Sequence, residues 1–126
     1  AMNNVAYLLL LAVAGIMPAH ARATCMPVVR DAWLRLPPVS MPMLAGFARI
    51  ENPCPRAVVV TAVRSAAFGE VSVHETRREN GVSRMREVPT LVVPARGVVT
   101  LQPGGLHLML MRPVVMPATG TRVPVT

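Results

Sequence analysis

From Val28 onward the apolar residues of this chain come in short bursts that alternate with polar ones, at a period of two and not of 3.6. In Leu106-His107-Leu108-Met109-Leu110-Met111 the three leucines fall on one side and His107, Met109 and Met111 on the other. In Glu70-Val71-Ser72-Val73-His74-Glu75-Thr76 the valines share one side, and Ser72, His74 and Thr76 share the other. Strict alternation over so few residues is the signature of a half-buried strand. The pattern predicts strands over Val28–Arg35, Ala45–Glu51, Ala57–Arg64, Glu70–Thr76, Ser83–Val88, Gly97–Gln102, Leu106–Met111 and Arg122–Val125. Proline, glycine and asparagine punctuate them: Asn52-Pro53-Cys54-Pro55 stops a strand, Asn80-Gly81 is a hairpin signal, and Pro103-Gly104-Gly105 reverses the chain. No long segment keeps a helical period. The expected class is all-β, a sandwich or barrel of about seven to eight short strands in one domain.

Residues 1–23 break this rhythm. The uninterrupted apolar run Val5–Met17 is followed by Pro18 and the small-residue sequence Ala19-His20-Ala21-Arg22-Ala23. The run is shorter than the ~20 residues a spanning helix needs, and it resembles the core of a cleavable signal peptide. The expectation is a leader at 1–23, a mature domain at 24–126 in the periplasm, and no stable membrane insertion after cleavage. Charge changes the picture little. Thirteen arginines, with no lysine, face six acidic residues for a net charge of +7. They are scattered, and beyond the leader Trp33, Phe47 and Phe68 are the only aromatic residues. Nucleic-acid binders pair clustered cations with stacking rings, so a nucleic-acid partner is not expected. The basic balance suits an acidic protein partner.

Two cysteines, Cys25 and Cys54, in an exported chain read first as a disulfide. A hairpin of the first two strands with Arg35 opposite Leu44 would set Cys25 opposite Cys54, at a separation a disulfide spans. Arg22-Ala23-Thr24 makes a poor lipid-attachment signal, so Cys25 is assigned to this bridge.

The candidate chemistry lies in His74, Met85, His107 and Met109, spaced His-x10-Met-x21-His-x-Met. By parity each stands away from the leucine and valine side of its strand. His74 and Met85 flank the Asn80-Gly81 turn, so pairing across it would bring them side by side. His107 and Met109, two apart, share a face. Two readings stand at this point. Methionine is a common filler of irregular core gaps, and a single histidine is usually not a ligand. As a set, two imidazoles and two thioethers are soft neutral donors that favour Cu(I). Zinc prefers thiolates, hard cations want carboxylates, and a blue-copper centre needs a cysteine. No activated nucleophile or paired carboxylate set points to an enzyme.

This spacing resembles that of the PCu(A)C family of periplasmic copper chaperones. The resemblance extends to Asp31-Ala32-Trp33-Leu34-Arg35, to Phe47-Ala48-Arg49-Ile50-Glu51-Asn52, and to the run Leu101–Met111. It implies a cupredoxin-like Greek-key sandwich that binds one Cu(I) through His74, Met85, His107 and Met109. It also implies a monomeric carrier that hands copper toward the dinuclear centre of cytochrome c oxidase subunit II, beside Sco-type assembly factors. A copper storage or resistance carrier would share the site, and a metal-free interaction module would share only the fold. Met111 is read as a rim neighbour or accessory ligand, and Met41 and Met43 as packing of the Pro37–Met43 loop.

Overall fold

Residues 25–126 are described by a computed structural model; residues 1–24, and with them the expected leader, lie outside it. Eight strands follow one another: β1 (Val28–Arg35), β2 (Met43–Glu51), β3 (Val58–Val60), β4 (Phe68–Glu79), β5 (Val82–Glu87), β6 (Leu91–Val93), β7 (Val98–Leu101) and β8 (Leu106–Pro113). Six belong to one sheet, ordered β1-β2-β8-β4-β5 with β7 also on β2, while β3 and β6 form a second, two-stranded sheet. The fold is all-β and cupredoxin-like, as the alternation and the resemblance imply. Its decisive non-local feature is β8, the last strand, inserted antiparallel between β2 and β4. β2 serves two partners on that edge, β8 through Met43–Gly46 and β7 through Ala48–Glu51.

The leucine side of the large sheet forms the core. Leu44, Phe68 and Leu110 make one buried cluster, and Val73, Leu91 and Leu101 another. Leu110 has no exposed surface, and burying such a side chain contributes about 1.5–3 kcal/mol. Gly46 permits the close packing here: a Cβ at this position would lie 3.0 Å from Leu110 Cδ1 and 3.1 Å from Leu34 Cδ2.

The Asn80-Gly81 turn forms as predicted. Both residues have positive φ, 51° and 78°, the geometry a two-residue type I′ hairpin requires. It carries β4 and β5 on to Glu79 and Val82.

At the opposite edge of the sheet, beside β1, Cys25 and Cys54 are bonded, with their Cα atoms 5.6 Å apart. The β1–β2 pairing beside them (Val28 with Glu51, Val29 with Ile50, Arg30 with Arg49) is the predicted register. Closer to the loop it is not: Arg35 pairs with Ala45, not Leu44, after a shift between Arg30 and Trp33. Asp31, at φ 55°, marks this β-bulge, which inserts one residue and re-aims the strand beyond it. The neighbouring loop is held by Asn52, whose side-chain amide donates to the carbonyls of Arg56, Val93 and Pro94 while its Oδ1 accepts the Cys54 N–H.

Three other expectations change. The strand predicted at Ala57–Arg64 reduces to Val58–Val60 because its partner β6 is only three residues long, confined between Pro89 and Pro94. That partner, Leu91–Val93, was not predicted at all. Arg122–Val125 forms no strand. Pro124 has no N–H to give, and the segment is held by Val123 against the Leu44, Phe68, Leu110 cluster and by reciprocal backbone hydrogen bonds between Arg64 and Thr126, at 2.7 and 2.8 Å.

Candidate metal centre

Strand pairing orders the side chains of the other sheet face into rows. One row runs His107 (β8), His74 (β4), Glu87 (β5), the two histidines being direct cross-strand partners, and Trp33 (β1) pairs with Phe47 (β2) on the same face. The next runs Arg35, Ala45, Met109, Ser72. A third is Met43, Met111, Glu70, and on the opposite flank Thr76 pairs with Met85. Because every member keeps the same parity, all four candidate ligands share the face turned away from the leucine core.

Their proximity is uneven. The His74 and His107 rings lie 6.1 Å apart and 27° from parallel. Met109 sits two residues along β8 from His107, and Met85 is a diagonal neighbour of His74. The residue directly opposite His74 on β5 is Glu87, not Met85. The side-by-side pairing of His74 with Met85 is thereby corrected. The tight two-residue turn leaves no slack in register, so 74 meets 87 and 76 meets 85. Diagonal pairs on neighbouring strands are still within reach of long side chains.

Burial is graded across the set. His107 is 5% exposed and Met109 8%, His74 is half-buried, and Met85 is 56% exposed. Met85, His107 and Met109 line one open cleft of about 280 Å³ together with Met43, Phe47 and Arg35. His74 stands beside the cleft and does not line it. The cleft thus offers two buried donors and one donor free to move in solvent.

Hydrogen bonds determine which imidazole nitrogens are available. His107 Nδ1 lies 2.9 Å from the Gly105 carbonyl oxygen. A carbonyl only accepts, so Nδ1 carries the proton and Nε2 keeps its lone pair for an ion. His74 Nε2 is 2.9 Å from Ser72 Oγ. Ligation through Nε2 would require that hydroxyl to turn away, whereas Nδ1 is not engaged by it. The Gly105 anchor was legible in part, since a strand start two residues after a glycine turn places that carbonyl near the ring. The Ser72 contact follows from i,i+2 parity alone and was missed.

A cation stands at the cleft mouth. The Arg35 guanidinium carbon lies 5.1 Å from the Phe47 ring centroid and 5.7 Å from that of Trp33. Those rings pack 4.6 Å apart. Among the described residues no three His, Cys, Asp or Glu side chains are placed to hold a metal ion together. The remaining soft donors of the candidate set on this face are the thioethers of Met85 and Met109, beside the imidazoles of His74 and His107. The acidic groups that are perturbed lie elsewhere. Arg77 beside Glu75, with Arg86, lowers that carboxyl below its ordinary range; Arg49 and Arg30 do the same to Glu51.

Residues 28–126 match the family model described as putative lipoprotein LpqE-like. The chain belongs to the LpqE-like family. A putative lipoprotein of Leifsonia xyli subsp. xyli is 30% identical over 99 residues, covering 78% of this chain. The chain spans 58% of the length of that relative. Among solved structures, the apo PCuAC domain from PmoF1 superposes with a TM-score of 0.65 at 20% identity, covering 82% of each chain. The copper-bound PCuAC domain from PmoF2 gives 0.66 at 21% identity over 82% of this chain and 81% of that one. The apo PmoF2 domain gives 0.58 at 24% identity over 75% and 71%. At these identities the likeness is one of fold: this LpqE-like protein has a PCuAC-like fold.

Proposed function

We propose that this protein is an exported, monomeric carrier of monovalent copper, with His74 and His107 supplying nitrogen and Met85 and Met109 supplying sulfur. One observation carries the reading. All four donors share one sheet face in adjoining rows, and His107 Nε2 is left free by the Nδ1 bond to Gly105. The copper-bound state of a protein with the same fold supports it. Four neutral donors leave the charge of Cu(I) uncompensated, so the ion can pass to a thiolate acceptor. The exposed Met85 is the donor that lets go first. The role is carriage, not catalysis.

Export belongs to the same reading. The family is one of putative lipoproteins, and a cystine persists in an oxidising envelope compartment, not in a reducing cytosol. In this chain the Cys25 sulfur, which a lipid thioether would use, is bonded to Cys54. The recipient we propose is the dinuclear copper centre of cytochrome c oxidase subunit II, reached beside a Sco-type factor.

The test is an anaerobic Cu(I) titration against a competing chelator, on wild type and Met109→Leu. Leucine keeps the volume and removes the sulfur. One equivalent bound by wild type, with affinity lowered at least tenfold in the variant, is the expected result. Equal affinities would remove Met109 from the site, and no binding by wild type would end the copper reading.

A further inference from the structure

Methionine is distributed unevenly in this fold. Neither of the two core clusters contains one. All four methionines on the strands, Met43, Met85, Met109 and Met111, lie on the cleft face. Filler methionines belong where gaps in a core need filling, and here the leucine and valine core is filled without them.

Three of the four lie together. Met43, the first residue of β2, is the direct cross-strand partner of Met111 on β8, and Met109 is two residues along β8 on the same side. Direct partners have Cα atoms ~4.5–5.5 Å apart, and residues two apart on a strand are separated by ~6.6 Å. Each side chain has three rotatable bonds beyond Cα, so three sulfurs at those spacings can converge on one ion. Met43 and Met109 line the same cleft, and Met43 and Met111 are half-buried. Glu70 is the cross-strand partner of Met111 on its other side. It places a carboxylate beside this end of a face whose mouth otherwise carries Arg35.

We propose that Met43, Met109 and Met111 form a second hold for a soft monovalent d10 cation, made of thioethers alone and sharing Met109 with the His74, Met85, His107 set. This rests on the copper-carrier reading. Because Met109 belongs to both holds, one ion occupies one or the other. Moving between them exchanges two imidazoles and Met85 for Met43 and Met111. Cu(I) stays Cu(I) throughout, and no electron or proton is needed. The thioether hold lies at the end of the face next to loop 36–42 and gives the ion a place to pause while it enters or leaves.

The experiment follows the methyl resonances of 13C-methyl-methionine protein during an anaerobic Cu(I) titration. In wild type the resonances of Met43 and Met111 should move along with those of Met85 and Met109. In His74→Ala/His107→Ala, Cu(I) should still bind, more weakly, and move Met43, Met109 and Met111. Adding Met43→Leu and Met111→Leu should then abolish binding. In an otherwise wild-type chain, Met43→Leu/Met111→Leu should slow release to a thiolate chelator several-fold. Movement confined to Met85 and Met109 in wild type overturns the proposal even if the histidine variant fails to fold. So does an unchanged release rate. Wild type that binds no Cu(I) fails the carrier reading itself, a distinguishable result.

Discussion

On β8, Leu106, Leu108 and Leu110 face the sandwich interior while His107, Met109 and Met111 face the cleft, yet Leu110, His107 and Met109 are all buried. The two faces reach that burial differently. Leu110 packs in a cluster with Leu44 and Phe68, flanked by the partly buried Leu34, Ala67, Val71, Leu108 and Val123. His107 and Met109 line an open cleft with Phe47, Arg35 and loop residues such as Pro37 and Pro103. A closed face makes a deleted atom costly because its neighbours cannot follow it. A cleft face tolerates rearrangement, as a site that must take up and release a cargo requires.

The largest effect expected from that contrast is Leu110→Ala. A fully buried leucine in a closed core should cost about 2–5 kcal/mol in urea unfolding, and Met109→Leu across the strand less than about 1.5 kcal/mol. Equal losses would show that the cleft face is as tightly packed as the core. The cystine comes next. It closes a loop of sequence separation 29, for which constraint of the unfolded chain is worth about 3.6 kcal/mol. Cys25→Ser/Cys54→Ser should lower the denaturant midpoint accordingly while leaving Cu(I) affinity intact, since the bridge lies at the far end of the sheet from the cleft. A parallel loss of affinity would mean that the bulged β1–β2 ribbon transmits strain to the cleft.

The smallest effect concerns the hairpin that carries Met85. Glu75 accepts from Arg77 Nε at 2.6 Å and from Arg86 at 3.2 Å. These arginines hold its folded-state carboxyl below the ordinary glutamate range. A depressed pKa contributes stability that is present above the unfolded value and lost as pH falls through the folded one. The stability difference between wild type and Glu75→Gln should therefore be small at neutral pH, because the ions are exposed, and vanish on acidification. A difference that grew toward low pH would reverse the sign and exclude this ion cluster as its source.

How much could be read in advance follows the range of the interactions. Parity was legible for His74, His107, Met109 and Met85, because alternation is set residue by residue along each strand. The type I′ turn was legible in Asn80-Gly81. Opposite the cysteines the register was right, and beyond Asp31 it slipped by one, because no residue type announces a bulge. β6 escaped notice since three residues between prolines carry too little pattern. Sequence alone makes Met43 part of the loop packing; only the pairing of β2 with β8 shows that its neighbour is Met111.

The sequence by itself determined the strand period, the chemistry of the donors, the turn at Asn80-Gly81, the cysteine pair and the face on which each candidate ligand stands. These are local properties, carried by backbone alternation and side-chain type. Only the tertiary structure decided who stands beside whom: His107 next to His74, Glu87 opposite it, Met85 one diagonal away, and Met43 against Met111. The pairings across β4 and β5 follow from the register of the Asn80-Gly81 hairpin, while His107 beside His74 and Met43 against Met111 depend on the last strand entering between the second and the fourth. Many distant groups select that pairing together, by burying one continuous leucine face, and no short stretch of chain records it.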